Sequence, residues 1–145
     1  IGQIGVSNFT VAQIDALQAF LSKPLASTQP EISPLRITCF ENGELDQAMR
    51  LGLRPLAWSP LGGGRLLSPE SQRDIAVAHA LDAGYSEDRS VAALSWLMAH
   101  PAGIVPILGT QKPERIAAAA KALEVRWNRE QWYAVLVAAR GERLP

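Results

Sequence analysis

The sequence predicts an α/β protein in which four parallel strands alternate with helices. Four times along the chain, a short apolar run is followed by a segment of helical periodicity. No hairpin turn joins successive strands, so the connections are expected to be right-handed crossovers within a parallel sheet. Two architectures fit this pattern: a doubly wound sheet, and four of the eight units of a (β/α)8 barrel.

Polar or conformationally special residues at the strand ends favour the barrel units. They follow the C-terminal end of every predicted strand, as Ser7 and Asn8, Gln29 and Glu31, Trp58 and Ser59, and Gly109 and Thr110. In (β/α)8 barrels this end carries the active site, and the last two strands commonly hold phosphate. A whole barrel takes about 250 residues. Four units and a final helix in 145 residues therefore amount to half of one.

The first two units are short, and each contains a clear helix signal. Thr10 is a good N-cap for a helix over residues 10–21, because its hydroxyl can accept a backbone N–H. Gly52 suits the left-handed turn that ends the second helix. The strands of these units are predicted at residues 3–6 and 25–28, with Ser33 and Pro34 breaking the chain after the second.

The third and fourth units carry longer helical segments. A glycine-rich loop follows the third strand as far as Pro69. Asn128 and Gln131 have the spacing of a capping box, which predicts a last helix with Trp132, Val135, Leu136 and Ala139 on its apolar face. The other elements are strands at 54–59 and 104–108, helices at 72–83 closed by Gly84 and at 86–100 capped by Ser86, and a helix reaching Leu123.

Residues 104–115, IVPILGTQKPER, organise the fourth unit. Their apolar run predicts a strand buried on both faces, followed by a glycine turn and a helix that opens on Pro113. Backbone N–H groups, the helix dipole, Lys112 and Arg115 together suit an anion, most simply a phosphate. The alternative is an ordinary β-to-α connection with two solvated charges, and on this stretch alone it is the commoner outcome.

Composition indicates a protein with a packed core and narrows the classes of partner. The chain is 48% hydrophobic and 19% charged, with fourteen basic and fourteen acidic residues and no basic block, which argues against a nucleic-acid surface. No apolar run approaches a membrane span, and no signal peptide is visible. The single cysteine, Cys39, excludes an intrachain disulfide and suggests the cytoplasm. The start on Ile1 suggests a piece of something longer.

Four motifs in order resemble the aldo-keto reductases. They are GVSNF at 5–9, QPEISPL at 29–35, RPLAWSPLGGGRL at 54–66 and VPILGTQKPERI at 105–116. The similarity is greatest to the bacterial branch with SNF, EISP, WSPLGGGR and GTxKxER in succession, and it covers essentially the whole chain. The resemblance implies an NADPH-dependent carbonyl reductase on a (β/α)8 barrel, with residues 1–145 as its C-terminal half.

The resemblance also implies roles for individual residues toward NADP(H). Ser7 and Asn8, helped by Gln29, would hydrogen-bond the nicotinamide carboxamide, and Trp58 would stack on the nicotinamide ring. Ser59, Leu61 and the following glycines, Gly63 among them, would line the pyrophosphate. The adenosine end and its 2′-phosphate would be bound by Gly109, Thr110, Lys112 and Arg115.

The sequence departs from the family pattern at several positions. Thr28 stands where the family usually has Asn, and Pro30 is unusual at a strand end. Ala118 and Ala119 replace the Gln/Glu and Asn often found after the Arg, and alanine offers no side-chain hydrogen bond to adenine. From the residues alone, Trp58 is better explained as an interior aromatic packed on the barrel wall; the resemblance reverses that preference.

No catalytic residue is expected in this chain. The family's Asp, Tyr, Lys and His belong to the first half of the barrel, and neither Tyr85 nor Tyr133 lies at a strand end. His79 and His100 have no partners at metal-ligand spacing, so no metal site is expected. Cys39 is expected to be a small buried hydrophobe.

These observations predict the cofactor-binding half of a reductase acting on a small-molecule carbonyl. The alternatives are a non-catalytic nucleotide-binding or interaction module, and an inactive truncated fragment. Neither nucleic acid nor membrane is an expected partner. Alone, the chain is expected to self-associate, because four strands leave two open edges and expose inward apolar residues such as Val6, Leu56 and Ile107.

Overall fold

In the computed structural model, which describes residues 2–143, four strands form one parallel sheet in the order of the sequence. The strands are β1 (Gly5–Ser7), β2 (Ser27–Gln29), β3 (Arg54–Ala57) and β4 (Val105–Pro106). The helices are α1 (Val11–Gln18), α2 (Glu44–Leu51), α3 (Gln72–Gly84), α4 (Arg89–Met98), α5 (Pro113–Ala119) and α6 (Arg129–Arg140). In a (β/α)8 barrel, neighbouring strands follow one another in the order of the sequence, as they do here. In a doubly wound sheet, the strand order reverses at one point within the sheet.

The predicted elements exist, but their boundaries shift by a few residues. Helix α1 ends at Gln18 instead of residue 21, and α5 continues only as a 3-10 turn over Ala120–Leu123. Strands β1 and β2 each lie further along the chain than predicted. Strand ends depend on pairing with neighbouring strands, which local sequence does not reveal. As a result, Ser7 and Gln29 are the last residues of their strands.

The sheet has one covered and one uncovered face. Val6, Thr28 and Pro55 are aligned across the first three strands. Thr28 and Pro55 are buried, and Val6 packs against the cluster of Ile14, Leu25, Ala48 and Leu53, so this face meets the helices. The expectation that Val6 belongs to the inward face is therefore wrong, because strand alternation places it on the helix side.

The uncovered face carries Leu56 beside Val105. Val105 is 43% exposed, Ile107 37% and Leu108 38%, whereas Ile104 is buried. The prediction of a fourth strand buried on both faces is therefore wrong. Among the described residues, β4 is an edge strand with β3 as its sole neighbour, so nothing covers its second face or its outer edge.

Helix α4 is more deeply buried than its sequence pattern indicates. Seven consecutive residues, Val91 to Leu97, are buried, because α4 packs against two apolar clusters at once. Its N-cap is Asp88 and not Ser86: Asp88 Oδ1 accepts the backbone N–H groups of Ser90 at 2.8 Å and Val91 at 3.2 Å. No helix in the described part of the chain combines the length and apolar character that a membrane crossing requires.

Local helix signals elsewhere are confirmed. Thr10 with Gln13 and Asn128 with Gln131 both form capping boxes, and Gly52 ends α2 in the left-handed conformation with φ 68°. The apolar face of α6 packs into the core, where Val135 and Ala139 are fully buried. Trp96 and Trp132 stack with ring centroids 5.0 Å apart, and each indole N–H donates to the other residue's carbonyl.

Gly84 is the last residue of α3, and the ring of Trp127 lies so close to it that only glycine fits. A Cβ at this position would collide with the ring of Trp127, whose Cε3 would lie 3.0 Å away. We expect Gly84→Ala in the full-length protein to lower the free energy of unfolding by about 1–3 kcal/mol through overpacking. Chemical denaturation measures this. Gly2→Ala, which meets nothing within 4 Å, is the control and should stay within about 0.5 kcal/mol of the parent protein.

Candidate functional site

The ends of β1 and β2 are joined by side-chain and backbone hydrogen bonds. Ser7 lies opposite Gln29 in the parallel register. Ser7 Oγ donates to the carbonyl oxygen of Gln29 at 2.8 Å, and the Asn8 backbone N–H donates to the same oxygen at 3.2 Å. The polar residues at the C-terminal ends of these two strands therefore meet at one edge of the sheet, as the half-barrel architecture predicts.

Trp58 joins this group from β3. Its indole Nε1–H donates to Asn8 Oδ1 at 3.0 Å, and its backbone N–H donates to the carbonyl of Pro30 at 3.2 Å. Pro30 is tolerated because it comes just after the last residue of β2. Trp58 is half-buried and belongs to none of the apolar clusters formed by the described residues, so the packing that would explain it as a wall aromatic is not observed.

Two non-glycine residues at this edge adopt the left-handed backbone region. Asn8 has φ 57° and Ser59 has φ 50°. Such conformations are uncommon outside glycine and cost about 1–3 kcal/mol each, somewhat less for Asn. They turn the chain sharply at the ends of β1 and β3, and strain of this kind concentrates at functional sites.

A cavity of about 630 Å³ begins where Trp58 passes into Ser59. Its walls come from the glycine-rich loop, the start of α4, the segment after β4, and α5. Six of the residues predicted from the sequence line it: Ser59, Leu61, Gly63, Gly109, Thr110 and Arg115. Ser7, Asn8, Gln29, Trp58 and Lys112 are not among its lining residues. The first four form the strand-end group described above, which adjoins the cavity through Ser59.

Sequence reasoning missed the wall that α4 contributes. Asp88, Ser90, Val91 and Leu94 line the cavity, although nothing in their spacing suggests a binding motif. The one available signal was that Asp is a strong N-cap residue, which would have placed Asp88 at the start of the helix. That this helix start meets the cavity follows only from the packing of α4 beside α5.

The cationic side of the cavity is provided by Arg115. Arg115 is an exposed residue of the first turn of α5, and no carboxylate pairs with it within the part of the chain that the structure describes. Lys112 is the N-cap residue of α5, and its backbone N–H donates to Thr110 Oγ1 at 3.3 Å. The guanidinium is therefore available to an anion entering the cavity.

Two arginines fix the glycine-rich loop to the neighbouring helices. Arg65 makes a bidentate contact with Asp74, at 3.0 and 2.7 Å, and Arg89 donates to the carbonyl of Leu66 at 3.0 Å while pairing with Asp82. Burial alone would raise the pKa of Asp74, but hydrogen bonds from Arg65 and Ser71 outweigh it and hold that pKa below its usual range. The far end of the loop is thus anchored.

The remaining candidate groups neither line the cavity nor belong to the strand-end group. Tyr85 OH donates to Glu87 at 3.0 Å, and His100 packs edge-on against Phe40 at 4.9 Å. Burial, reinforced by Glu44, raises the pKa of Cys39 to about 12, so its thiol stays protonated at neutral pH. Within residues 2–143, no three His, Cys, Asp or Glu side chains come together as a metal site.

The profile of the Aldo/keto reductase family matches residues 1–137. The chain belongs to this family. The resemblance inferred from the four sequence motifs is therefore confirmed: the chain is a member of a family of oxidoreductases.

Curated relatives in the family extend well beyond this chain. It is 72% identical to 6-dehydroglucose reductase of Novosphingobium aromaticivorans over 145 residues, covering 98% of this chain and 48% of the relative. It is 38% identical to 6-dehydroglucose reductase of Agrobacterium fabrum, with coverage of 97% and 48%. Oxidoreductase YdhF of Escherichia coli is 39% identical, with coverage of 100% and 49%. The chain thus spans about half the length of these relatives.

Solved structures in the family share the fold. The aldo-keto reductase Tm1743, crystallised with the inhibitor epalrestat, superposes with a TM-score of 0.80 at 21% identity, covering 94% of this chain and 48% of that one. Aldose reductase from Giardia lamblia gives a TM-score of 0.76 at 24% identity, with coverage of 99% and 46%. The prediction of half a (β/α)8 barrel is confirmed.

Proposed function

We propose that residues 1–145 form a single domain, the C-terminal half of an NADPH-dependent carbonyl reductase, and that this half binds the cofactor. The observation that carries the proposal is the continuity between the strand-end group, to which Trp58 belongs, and a cavity lined by the Arg115 guanidinium, which has no carboxylate partner among residues 2–143. A volume of about 630 Å³ is typical of small-molecule and cofactor sites.

The residues present fit a dinucleotide phosphate along this path. When bound, the cofactor supplies the hydride. Ser7, Asn8 and Gln29 offer the hydroxyl and amide groups that pair with a carboxamide, and the half-buried indole of Trp58 offers a stacking surface beside them. Along the cavity, Ser59, Leu61 and Gly63 would flank the pyrophosphate. Gly109, Thr110, Lys112 and Arg115 would hold the 2′-phosphate end.

The substrate we propose is a small aldehyde or ketone. The name of the relative that is 72% identical, 6-dehydroglucose reductase, favours the carbonyl of an oxidised sugar. We propose a cytoplasmic enzyme without a nucleic-acid or membrane partner, supported by equal numbers of basic and acidic residues and by a single buried cysteine. NADPH-dependent reduction of 6-dehydroglucose by the full-length protein tests the proposal, and no reduction of any sugar aldehyde would contradict the substrate class.

A second candidate function is a non-catalytic nucleotide-binding module, or an inactive fragment. It is favoured by one observation: no Tyr, His or Lys occupies the C-terminal end of a strand among the described residues. A proton donor must reach the substrate carbonyl. Cofactor binding by the full-length protein without turnover of any carbonyl would support this candidate over the reductase.

Trp58 provides a direct test of where the nicotinamide lies. If the indole stacks on that ring, adding NADPH to the full-length protein quenches tryptophan fluorescence, and Trp58→Leu removes most of the quench. The other three tryptophans are engaged elsewhere: Trp127 bonds Ser95, and Trp96 and Trp132 bond each other. Trp127→Phe is the control and should keep the quench. An undiminished quench in Trp58→Leu would place the indole away from the cofactor.

A further inference from the structure

The cavity carries charges of both signs, and the sequence motifs account for only one of them. Arg115 on α5 is the predicted cation. Asp88, the N-cap residue of α4, also lines the cavity, and no motif that we used predicts a role for it. A carboxylate beside a phosphate is unfavourable because both groups are negatively charged. Asp88 is therefore expected to contact a part of the ligand other than its phosphates.

The hydrogen bonds of Asp88 leave half of its carboxylate unused. Oδ1 accepts the backbone N–H groups of Ser90 and Val91. Oδ2 has no hydrogen-bond donor and no cation beside it within residues 2–143. An ionised carboxylate only accepts hydrogen bonds. Oδ2 is therefore suited to an N–H or O–H group of whatever fills the cavity.

The position of this carboxylate is well fixed. Capping holds Oδ1, and the next residue, Arg89, is tied both to Asp82 and to the carbonyl of Leu66. Asp88 thus stands between α4 and the anchored end of the glycine-rich loop. A side chain oriented in this way loses little conformational entropy when it binds a ligand.

The surroundings of Asp88 indicate which ligand group it meets. Apolar side chains form much of the wall of the cavity that Asp88 lines: Leu67, Val91, Leu94, Ala118 and Ala119. They suit a flat aromatic heterocycle, whose exocyclic amino group is a donor at its edge. Ala118 and Ala119 stand where the family pattern has Gln/Glu and Asn, and alanine has no side-chain polar atom. Asp88 is in the same cavity and can make the polar contact that these alanines lack.

We infer that Asp88 is a specificity-determining residue, whose free carboxylate oxygen accepts a hydrogen bond from the amino group of the adenine ring. This inference rests on the proposed function, because it concerns the same cavity and the same cofactor. It assigns the adenine contact to the start of α4 and leaves Arg115 to the 2′-phosphate. The two opposite charges then set the direction in which the nucleotide lies.

The test compares two ligands of equal charge on the full-length protein. NADPH carries an amino group at position 6 of the purine, and reduced nicotinamide hypoxanthine dinucleotide phosphate carries a carbonyl there. Their dissociation constants are measured by calorimetry, so no turnover is needed. The parent protein should prefer NADPH by about tenfold or more, the range of a hydrogen bond to a charged group. Because both ligands carry the same charge, their ratio is insensitive to the overall charge of the cavity.

Asp88→Asn is the informative variant. Asn caps a helix as well as Asp does, so Oδ1 keeps its role, while the free position becomes an N–H donor that matches the carbonyl of hypoxanthine. We expect the preference to vanish or reverse. Asp88→Ser, also a good cap, removes the free carboxylate oxygen, and its shorter side chain places no polar group at that position, so the ratio should come close to one. It also serves if the Asn variant folds poorly.

Glu87→Gln is the matched control, since Glu87 is the neighbouring charge but does not line the cavity; it should leave the ratio unchanged. An unaltered ratio in Asp88→Asn and Asp88→Ser, with NADPH still bound, overturns the role of Asp88 alone. Failure of the parent protein to bind either dinucleotide overturns the proposed function together with this inference.

Discussion

Assayed alone, the purified 145-residue chain is expected to show no NADPH-dependent reduction of a carbonyl. Reduction requires a proton for the developing alkoxide, delivered by a group within hydrogen-bond reach. Tyr85 follows α3 and Tyr133 lies on α6, whereas the site lies at the C-terminal ends of the strands. His79 lies on α3, and His100 packs against Phe40. Within the described residues, none of these groups reaches the strand-end group.

We also propose that the isolated chain self-associates. Strands β1 and β4 are the outer strands of the described sheet, and unpaired edges invite pairing with another chain. The uncovered face exposes Val105 and Ile107 and leaves Leu56 half-buried. Chain length is not the obstacle, because a domain of about 150 residues buries near 70% of its surface. Dimerisation into a pseudo-barrel, or aggregation, is the expected outcome.

Gel filtration and a cofactor-oxidation assay on the purified chain check both statements, with the full-length protein as the positive control. The control should oxidise NADPH when given an aldehyde, and the isolated chain should not. A stable monomer that reduces aldehydes would show that a proton donor within these residues has been overlooked and that the uncovered face needs no partner.

Arg115→Ala in the full-length protein is expected to weaken NADPH binding by roughly ten- to a hundredfold. One charge-assisted hydrogen bond contributes about 1.5–3 kcal/mol, which corresponds to that factor. Arg115 lies in the first turn of α5, lines the cavity and has no competing carboxylate in residues 2–143. NADH lacks the 2′-phosphate, so its affinity should hardly change.

Titration of both cofactors by calorimetry measures the effect. Arg126→Ala is the matched control: Arg126 carries the same charge, but it donates to the carbonyls of Leu123 and Val125 and does not line the cavity. It should leave both affinities near those of the parent protein. If Arg115→Ala lowers the affinities for NADPH and NADH by the same factor, the assignment of Arg115 to the 2′-phosphate is wrong.

By itself, the sequence determined the order of elements and the features that depend on short stretches of chain. The capping boxes at Thr10 and Asn128 and the left-handed Gly52 were predictable, because each depends on residues a few positions apart. The grouping of Ser7 and Gln29 was also predictable, because the carboxyl ends of parallel strands meet at one edge. The family followed from four motifs in succession.

Only the tertiary structure decided which faces are covered and which distant residues meet. Val6 lies on the helix side, and β4 is exposed although its sequence is that of a buried strand. Trp58 reaches Asn8 across 50 positions of sequence, and Asp88 enters the same cavity as Arg115 because α4 packs beside α5. Short sequence patterns cannot predict such contacts, because whether a residue is buried or lies on an edge strand depends on neighbours that are remote in sequence.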